Sequence, residues 1–248
     1  MTKFVVYSDL HTEMLTLNAT KRLCRLYFKQ GTDSNLILAG DVGKSGDRKY
    51  SYVLQWCSHH YKKVFIIAGN HEFYHSDLDT GVKAIRDACK RFANIYFLDR
   101  NVYCDENYII MGCTLWTRLN IMELDYIKRA YNDLKYIQNI DINEYHRVDW
   151  TWLKSMLNYY KSDTRQKIVV THHMPSFKLL DDKYKTSSMC NSAFANTDCE
   201  ELMKQTDYWI YGHTHTPRHQ VIDKCVCVCN PIGYPGENET ALEQVITL

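Results

Sequence analysis

The chain is 248 residues long and 45% apolar, with 30 basic and 29 acidic side chains and a formal net charge of +1. That length suits one α/β domain spanning 1–248, and the balanced charge excludes a global basic field for long nucleic acid or an acidic tail for a basic partner. No run of about 18 apolar residues suits a membrane span, the short apolar run after Met1 falls far short of a secretion-signal core, and ten scattered cysteines read as reduced thiols of a cytoplasmic protein.

In chain order, short β-branched apolar runs alternate with helical periodicity. Phe4–Tyr7 reads as a buried strand leading into Ser8-Asp9-Leu10-His11. Leu36–Ala39 leads into Gly40-Asp41, and Val64–Ala68 into Gly69-Asn70-His71-Glu72. Leu78, Val82, Ile85 and Cys89 share one face of a helix predicted over 79–91. Residues 102–104 and 108–113 flank Asp105-Glu-Asn107 in a hairpin pattern. The Tyr-rich, charged stretch at about 118–147 reads as a helical insertion or cap, followed by a helix over 149–161.

Ile168–Val170 then leads into Thr171-His172-His173, and Tyr208–Tyr211 into Gly212-His213-Thr214-His215. Residues 178–196 look loop-like. The last third, 218–248, holds two or three strands and the turn Asn230–Gly236. Cys225, Cys227 and Cys229 fall on one face of a strand and read as small buried hydrophobes. Strand and helix in alternation argue for an α/β sandwich. In open α/β sheets ligands bind beyond the carboxyl ends of strands, where all five of these motifs stand.

Asp9, His11, Asp41, Asn70, His172, His213 and His215 sum to two carboxylates, one amide and four imidazoles. That mixed nitrogen and oxygen set suits two neighbouring divalent cations, with open positions for water and phosphate. Each motif alone is weak, because Asp-x-His and Gly-Asp occur widely. Five in order, each after a short apolar run, form a much more specific signal.

The combination Asp-x-His, Gly-Asp, Gly-Asn-His-Glu, His and Gly-His-x-His resembles the calcineurin-like metallophosphoesterase superfamily. Thr171–Ser176, Ala193-Phe194, Trp209–His215, Asn230–Glu237 and Gly112–Trp116 are similar to a compact, largely bacterial group within it. Ile232 departs from that group, which usually carries Arg there.

The resemblance implies a four-layer α-β-β-α sandwich with two mixed sheets and a small helical insertion. It implies that Asp9, His11 and His215 hold one metal, that Asn70, His172 and His213 hold another, and that Asp41 bridges them. His71 then stands near the leaving-group oxygen, with Asp41 and Asn70 taking part in catalysis. A hydroxide between the two ions attacks phosphorus in line, and His71 gives general acid assistance worth about 10²–10⁴-fold. Family habit favours Mn, with Fe, Zn, Ni or Co as alternatives.

His173 reads as a support for its neighbour or a lining residue. Trp116, Tyr211 and Tyr234 are candidates to line a substrate pocket, and Glu72 is either an orienting carboxylate or a surface one. The implied activity is phosphodiester or phosphomonoester hydrolysis on a small molecule or nucleotide. A phosphoprotein phosphatase, a nuclease and a non-catalytic scaffold on the same fold are the competing readings. The balanced charge weighs against the nuclease, and the presence of His71 against the scaffold.

Overall fold

The computed structural model describes residues 2–29, 33–185, 190–238 and 244–248. Two mixed sheets stack face to face. The first runs β11 (Gln244–Thr247), β1 (Lys3–Tyr7), β2 (Asn35–Ala39), β3 (Val64–Ile67), β4 (Ile95–Phe97). The second runs β5 (Asn101–Cys104), β6 (Tyr108–Gly112), β7 (Gln166–Val170), β8 (Tyr208–Tyr211), β10 (Cys225–Cys229), β9 (Arg218–Ile222). β1 to β4 are parallel, as are β6, β7, β8 and β10; β5, β9 and β11 run antiparallel to their neighbours.

The layers follow from strand alternation, which sends successive side chains to opposite faces. Phe4, Val6, Ile37 and Phe65 meet Ile110, Ile168, Ile210 and Val228 between the sheets. The alternate residues Val5, Tyr7, Leu36, Leu38 and Ile66 face α1 (Leu17–Tyr27), α2 (Arg48–His60) and α3 (Leu78–Cys89). On the far side Ile109, Met111, Val169 and Trp209 pack with Leu153 and Leu157 of the long helix Ile142–Tyr159. Three apolar interfaces separate four layers, as the sequence implied. Cys225, Cys227 and Cys229 all belong to the outer interface and are buried.

Helix ends follow their caps. Thr16, Asp47 and Asp77 accept backbone N–H bonds at the starts of α1, α2 and α3. The expected helix over 149–161 begins earlier, because Asp141 caps it by accepting from Glu144 N–H. The insertion is correspondingly shorter. It consists of a 3-10 turn, α4 (Leu124–Ala130) and α5 (Asp133–Tyr136), and the long helix is α6. Backbone bonds from His75 N–H to Tyr136 O (2.7 Å) and from Gln138 N–H to Ser76 O (2.8 Å) fasten it beside the loop after β3. Among its described residues the 178–196 stretch, expected to be loop-like, holds two 3-10 turns and the four-residue helix Asp182–Lys185, with 186–189 outside the described residues. The C-terminal third supplies β9, β10 and β11, and its residues 239–243 also lie outside.

Candidate metal centre

The carboxyl ends of β1, β2, β3, β7 and β8 meet at one edge of the sandwich, so residues far apart in sequence converge. Asp9, His11, Asp41, His213 and His215 have φ of 55°, 47°, 53°, 71° and 48°. Side-chain-bearing residues seldom adopt this left-handed region, which costs about 1–2 kcal/mol each. Such strain persists where surrounding bonds over-determine it. Here His213 N–H donates to Asp9 Oδ1 at 3.0 Å, His11 N–H to Asp41 O at 3.0 Å, and Asp9 N–H to Gly40 O at 3.1 Å. Two glycines make the close approach possible. A Cβ on Gly40 would stand 2.4 Å from His172 Nδ1, and one on Gly69 2.2 Å from Asp41 Oδ1.

The ring nitrogens are assigned by their partners. His11 Nδ1 lies 3.0 Å from Glu13 Oε1, and His215 Nδ1 lies 2.7 Å from Glu237 Oε2. Ionised carboxylates only accept, so each Nδ1 bears a proton and each Nε2 offers a lone pair. Those two Nε2 atoms face each other at 2.8 Å, with Asp9 Oδ1 3.6 Å from His215 Nε2. The same logic holds on the other side. His172 Nδ1 donates to Ala39 O at 2.9 Å, which turns its Nε2 lone pair to Asn70 Oδ1 (2.9 Å) and Asp41 Oδ2 (3.4 Å). Asn70 Nδ2 donates elsewhere, to Asp133, so its oxygen is the atom that faces His172.

Acceptors therefore point at acceptors in two adjacent places, which is the arrangement a pair of cations satisfies. Asp41 Oδ2 serves both, standing 3.8 Å from His11 Nε2 and 3.4 Å from His172 Nε2. Ligand atoms of Asp9, His11 and His215 lie within 4.8 Å of one another, as do those of Asp41, His172 and His213, and those of His11, Asp41 and His71. The donor set, mixed imidazole, carboxylate and amide, fits two divalent ions of the Mn, Fe, Zn group.

The electrostatics agree. Burial works to raise the Asp41 carboxyl, but the charges of His172 and His71 outweigh it and hold it well below the usual carboxylate range. Burial works to lower His172, yet Asp41 pushes it up to about 10: the place between its Nε2, Asp41 and Asn70 attracts positive charge, taken either by a proton on Nε2 or by a cation facing the Nε2 lone pair. Burial, with the like charges of His173 and His172, holds His213 well below the ordinary imidazole value, in the neutral form a metal ligand needs.

His71 sits beside these groups. Its N–H donates to Asp41 Oδ1 at 2.9 Å, its Nδ1 lies 2.8 Å from Glu13 Oε1, and its ring stacks on Tyr74 at 4.1 Å. Burial opposes its charge, but Asp41 and Glu13 push it up to about 9. Glu13, which the motif reading passed over, thus holds both His11 and His71. Burial would raise its carboxyl, but the bonds to His11 and His71 bring it to about 2. Its signal was the alternation Asp9-x-His11-x-Glu13.

Glu72 is neither a surface carboxylate nor a partner of His71. It is fully buried and accepts from the N–H groups of Asp41 (3.0 Å), Val42 (2.8 Å), Gly69 (2.7 Å) and Gly43 (3.4 Å). It clamps the loop after β2 to the loop after β3.

The substrate-lining candidates divide. Tyr234 lies over the centre, its ring 4.4 Å from His11 and 4.5 Å from His215, with its hydroxyl 3.4 Å from His71 Nε2. Trp116 does not line it. The ring is 1% exposed and packed between Phe73 and His173, which leaves no face for a base. Tyr211 is also corrected, since alternation along β8 turns it with Trp209 into the outer core while Ile210 faces the other sheet. His173 is fully buried, with Nε2 3.4 Å from the Tyr131 hydroxyl and its ring 4.3 Å from that of His213. It backs His213 and meets no solvent. Ile232 is buried in the core beside the first sheet, its N–H donating to Ser8 O at 3.0 Å.

Comparison with known proteins bears on the family and the fold. A family model described as calcineurin-like phosphoesterase covers residues 2–217. An uncharacterized protein of Acanthamoeba polyphaga mimivirus is 27% identical over 253 residues, covering 93% of this chain and 90% of its own. Among solved structures, a phosphopantetheinyl hydrolase from Mycobacterium tuberculosis superposes with a TM-score of 0.79 at 16% identity, over 99% of this chain and 95% of that one. A dimetal phosphatase from Danio rerio superposes with a TM-score of 0.53 at 12% identity, over 92% and 86%.

Proposed function

Because the chain belongs to the calcineurin-like phosphoesterase family, we propose that it is a metal-dependent hydrolase of small phosphomonoesters or phosphodiesters, nucleotides among them, working at this centre. Asp9, His11 and His215 would hold one divalent cation and Asn70, His172 and His213 a second, with Asp41 available to both. Manganese is the first choice, with iron, zinc, nickel or cobalt as alternatives. Such a pair, when bound, makes hydroxide available near neutral pH and offsets charge on the phosphoryl oxygens.

The chain's own residues do the rest. His71, held by Glu13 through Nδ1, presents its Nε2 proton at the mouth of the centre, where it can pass to a departing alkoxide. Tyr234, 3.4 Å from that nitrogen, marks where the leaving group enters. The Glu72 clamp keeps Asp41 and Asn70 in register.

A groove of about 440 Å³ bordered by Tyr234, Leu10, Leu15, Leu23, Leu26 and Ile232 adjoins the centre. Its size fits a small organic substituent on the phosphate, and its wall, which joins these apolar side chains to Arg22 and Asn238, favours an amphipathic one. That supports a small molecule over a phosphoprotein. The setting proposed is the cytoplasm, where the ten cysteines would stay free thiols. No described helix is long and apolar enough to cross a membrane.

The observation that carries this reading is the pair of places where lone pairs face lone pairs. The test is hydrolysis of p-nitrophenyl phosphate and bis-p-nitrophenyl phosphate by chelated protein, then with Mn²⁺ restored. Metal-dependent turnover of either supports the proposal. Bound metal with no turnover of either points to a scaffold.

A further inference from the structure

The insertion reaches the centre through one fully buried carboxylate that no motif announces. Asp133, the first residue of α5, is 0% exposed. Its Oδ1 accepts from Asn70 Nδ2 at 2.8 Å and from the Tyr74 hydroxyl at 2.8 Å. Asn70 Nδ2 also lies 3.3 Å from the Tyr74 oxygen. The backbone bonds that tie the insertion to residues 75 and 76 hold this carboxylate in place.

An Asn amide is nearly symmetric in shape, so its two ends can exchange unless the surroundings distinguish donor from acceptor. The cation side of Asn70 needs oxygen. Asp133 Oδ1, which already accepts from the Tyr74 hydroxyl, is matched only by the NH₂ end of Asn70. Tyr74 strengthens the choice: having donated its proton to Asp133, its oxygen can only accept from Asn70. Exchange of the amide ends would place oxygen against oxygen in a dry environment and turn NH₂ toward the metal position.

We propose that Asp133, assisted by Tyr74, is a positioning residue that keys the Asn70 amide with its oxygen toward the second cation. The inference rests on the dimetal reading above and adds a task for the insertion. Because the Tyr74 ring also stacks on His71, the same unit couples the second cation site to the leaving-group histidine.

The test is Mn²⁺ binding to the full chain, by elemental analysis and by titration against a chelator. The parent should bind two ions. Asp133→Ala should keep the first and bind the second about 10–100 times more weakly, the usual consequence of losing the partner that orients a ligand. Asp133→Asn, whose own amide oxygen can accept from Asn70 and Tyr74, should recover most of that loss. Tyr74→Phe, which keeps the ring stack, should weaken the second ion alone by several-fold, and it decides the matter if Asp133→Ala does not fold.

Parental affinity for both ions in Asp133→Ala, or in Tyr74→Phe where only that variant folds, overturns the proposal. So does equal weakening of both ions, which would mean general loosening. A parent that binds fewer than two ions would instead remove the dimetal reading, and this inference with it.

Discussion

Glu72→Gln isolates the clamp between the loops after β2 and β3 without changing side-chain size. Glu72 Oε2 accepts from the N–H groups of Asp41 and Gly69, at 3.0 and 2.7 Å, and Oε1 from those of Val42 and Gly43, at 2.8 and 3.4 Å. Glutamine keeps one oxygen and puts an NH₂ in place of the other. Burial and the Asp41 charge raise the Glu72 carboxyl to about 8, so the comparison is made above that pH, where both oxygens accept; whichever end the NH₂ then occupies, two buried N–H groups lose their acceptor and meet a donor. Each such group costs about 1–3 kcal/mol, so the change should cost about 2–6 kcal/mol. For a chain of this length about 2–4 °C is lost per kcal/mol, which gives a fall in Tm of roughly 5–20 °C. The assay is thermal unfolding in chelator, so that metal linkage does not mask the effect. A shift under about 2 °C would refute the clamp.

Further outcomes follow from other parts of the molecule. His71→Ala should cut turnover of alkyl phosphoesters by about 10²–10⁴-fold while nearly sparing p-nitrophenyl esters, whose leaving group needs little protonation; an equal loss on both would contradict the acid role. Leu26→Asp should raise KM about tenfold for phosphoesters of long-chain alcohols, by analogy with a partly lost leucine contact, and leave p-nitrophenyl phosphate unchanged; Leu26 is 57% exposed, so folding should survive.

His146 is buried with Nδ1 2.9 Å from Trp116 O and Nε2 3.1 Å from Asp198 Oδ2, so both nitrogens need protons. Burial opposes that charge but Asp198 raises the group above its ordinary value. The stability difference between parent and His146→Gln should therefore be full below the unfolded histidine value of about 6.5 and shrink as pH rises through the raised one; a difference that grows with pH would contradict the sign.

The seven metal-ligand candidates and the two sheets were legible because both signals are local. A buried strand announces itself within five residues, and the residue just past its carboxyl end has a fixed place at the sheet edge. Alternation within β8 even held the answer on Tyr211, since it must point opposite to Ile210. Trp116 lies beyond a strand end, where alternation lapses, and its burial depends on Phe73 and His173 arriving from elsewhere.

Asp133 and Tyr131 were illegible for another reason. Each is one polar residue in a Tyr-rich, charged stretch, and its partner lies 63 residues away for Asp133–Asn70 and 42 for Tyr131–His173. No spacing rule encodes such a contact. Glu72 stood inside a motif, but its task depends on N–H groups 29 to 31 residues distant as well as that of Gly69.

The most direct test is a crystal structure of the Mn²⁺-loaded protein with anomalous scattering recorded at the manganese edge. Two peaks are expected, one between His11 and His215 beside Asp9, the other among Asn70, His172 and His213, with Asp41 touching both. A single peak, or none at these side chains, would contradict the dimetal centre on which the catalytic account depends.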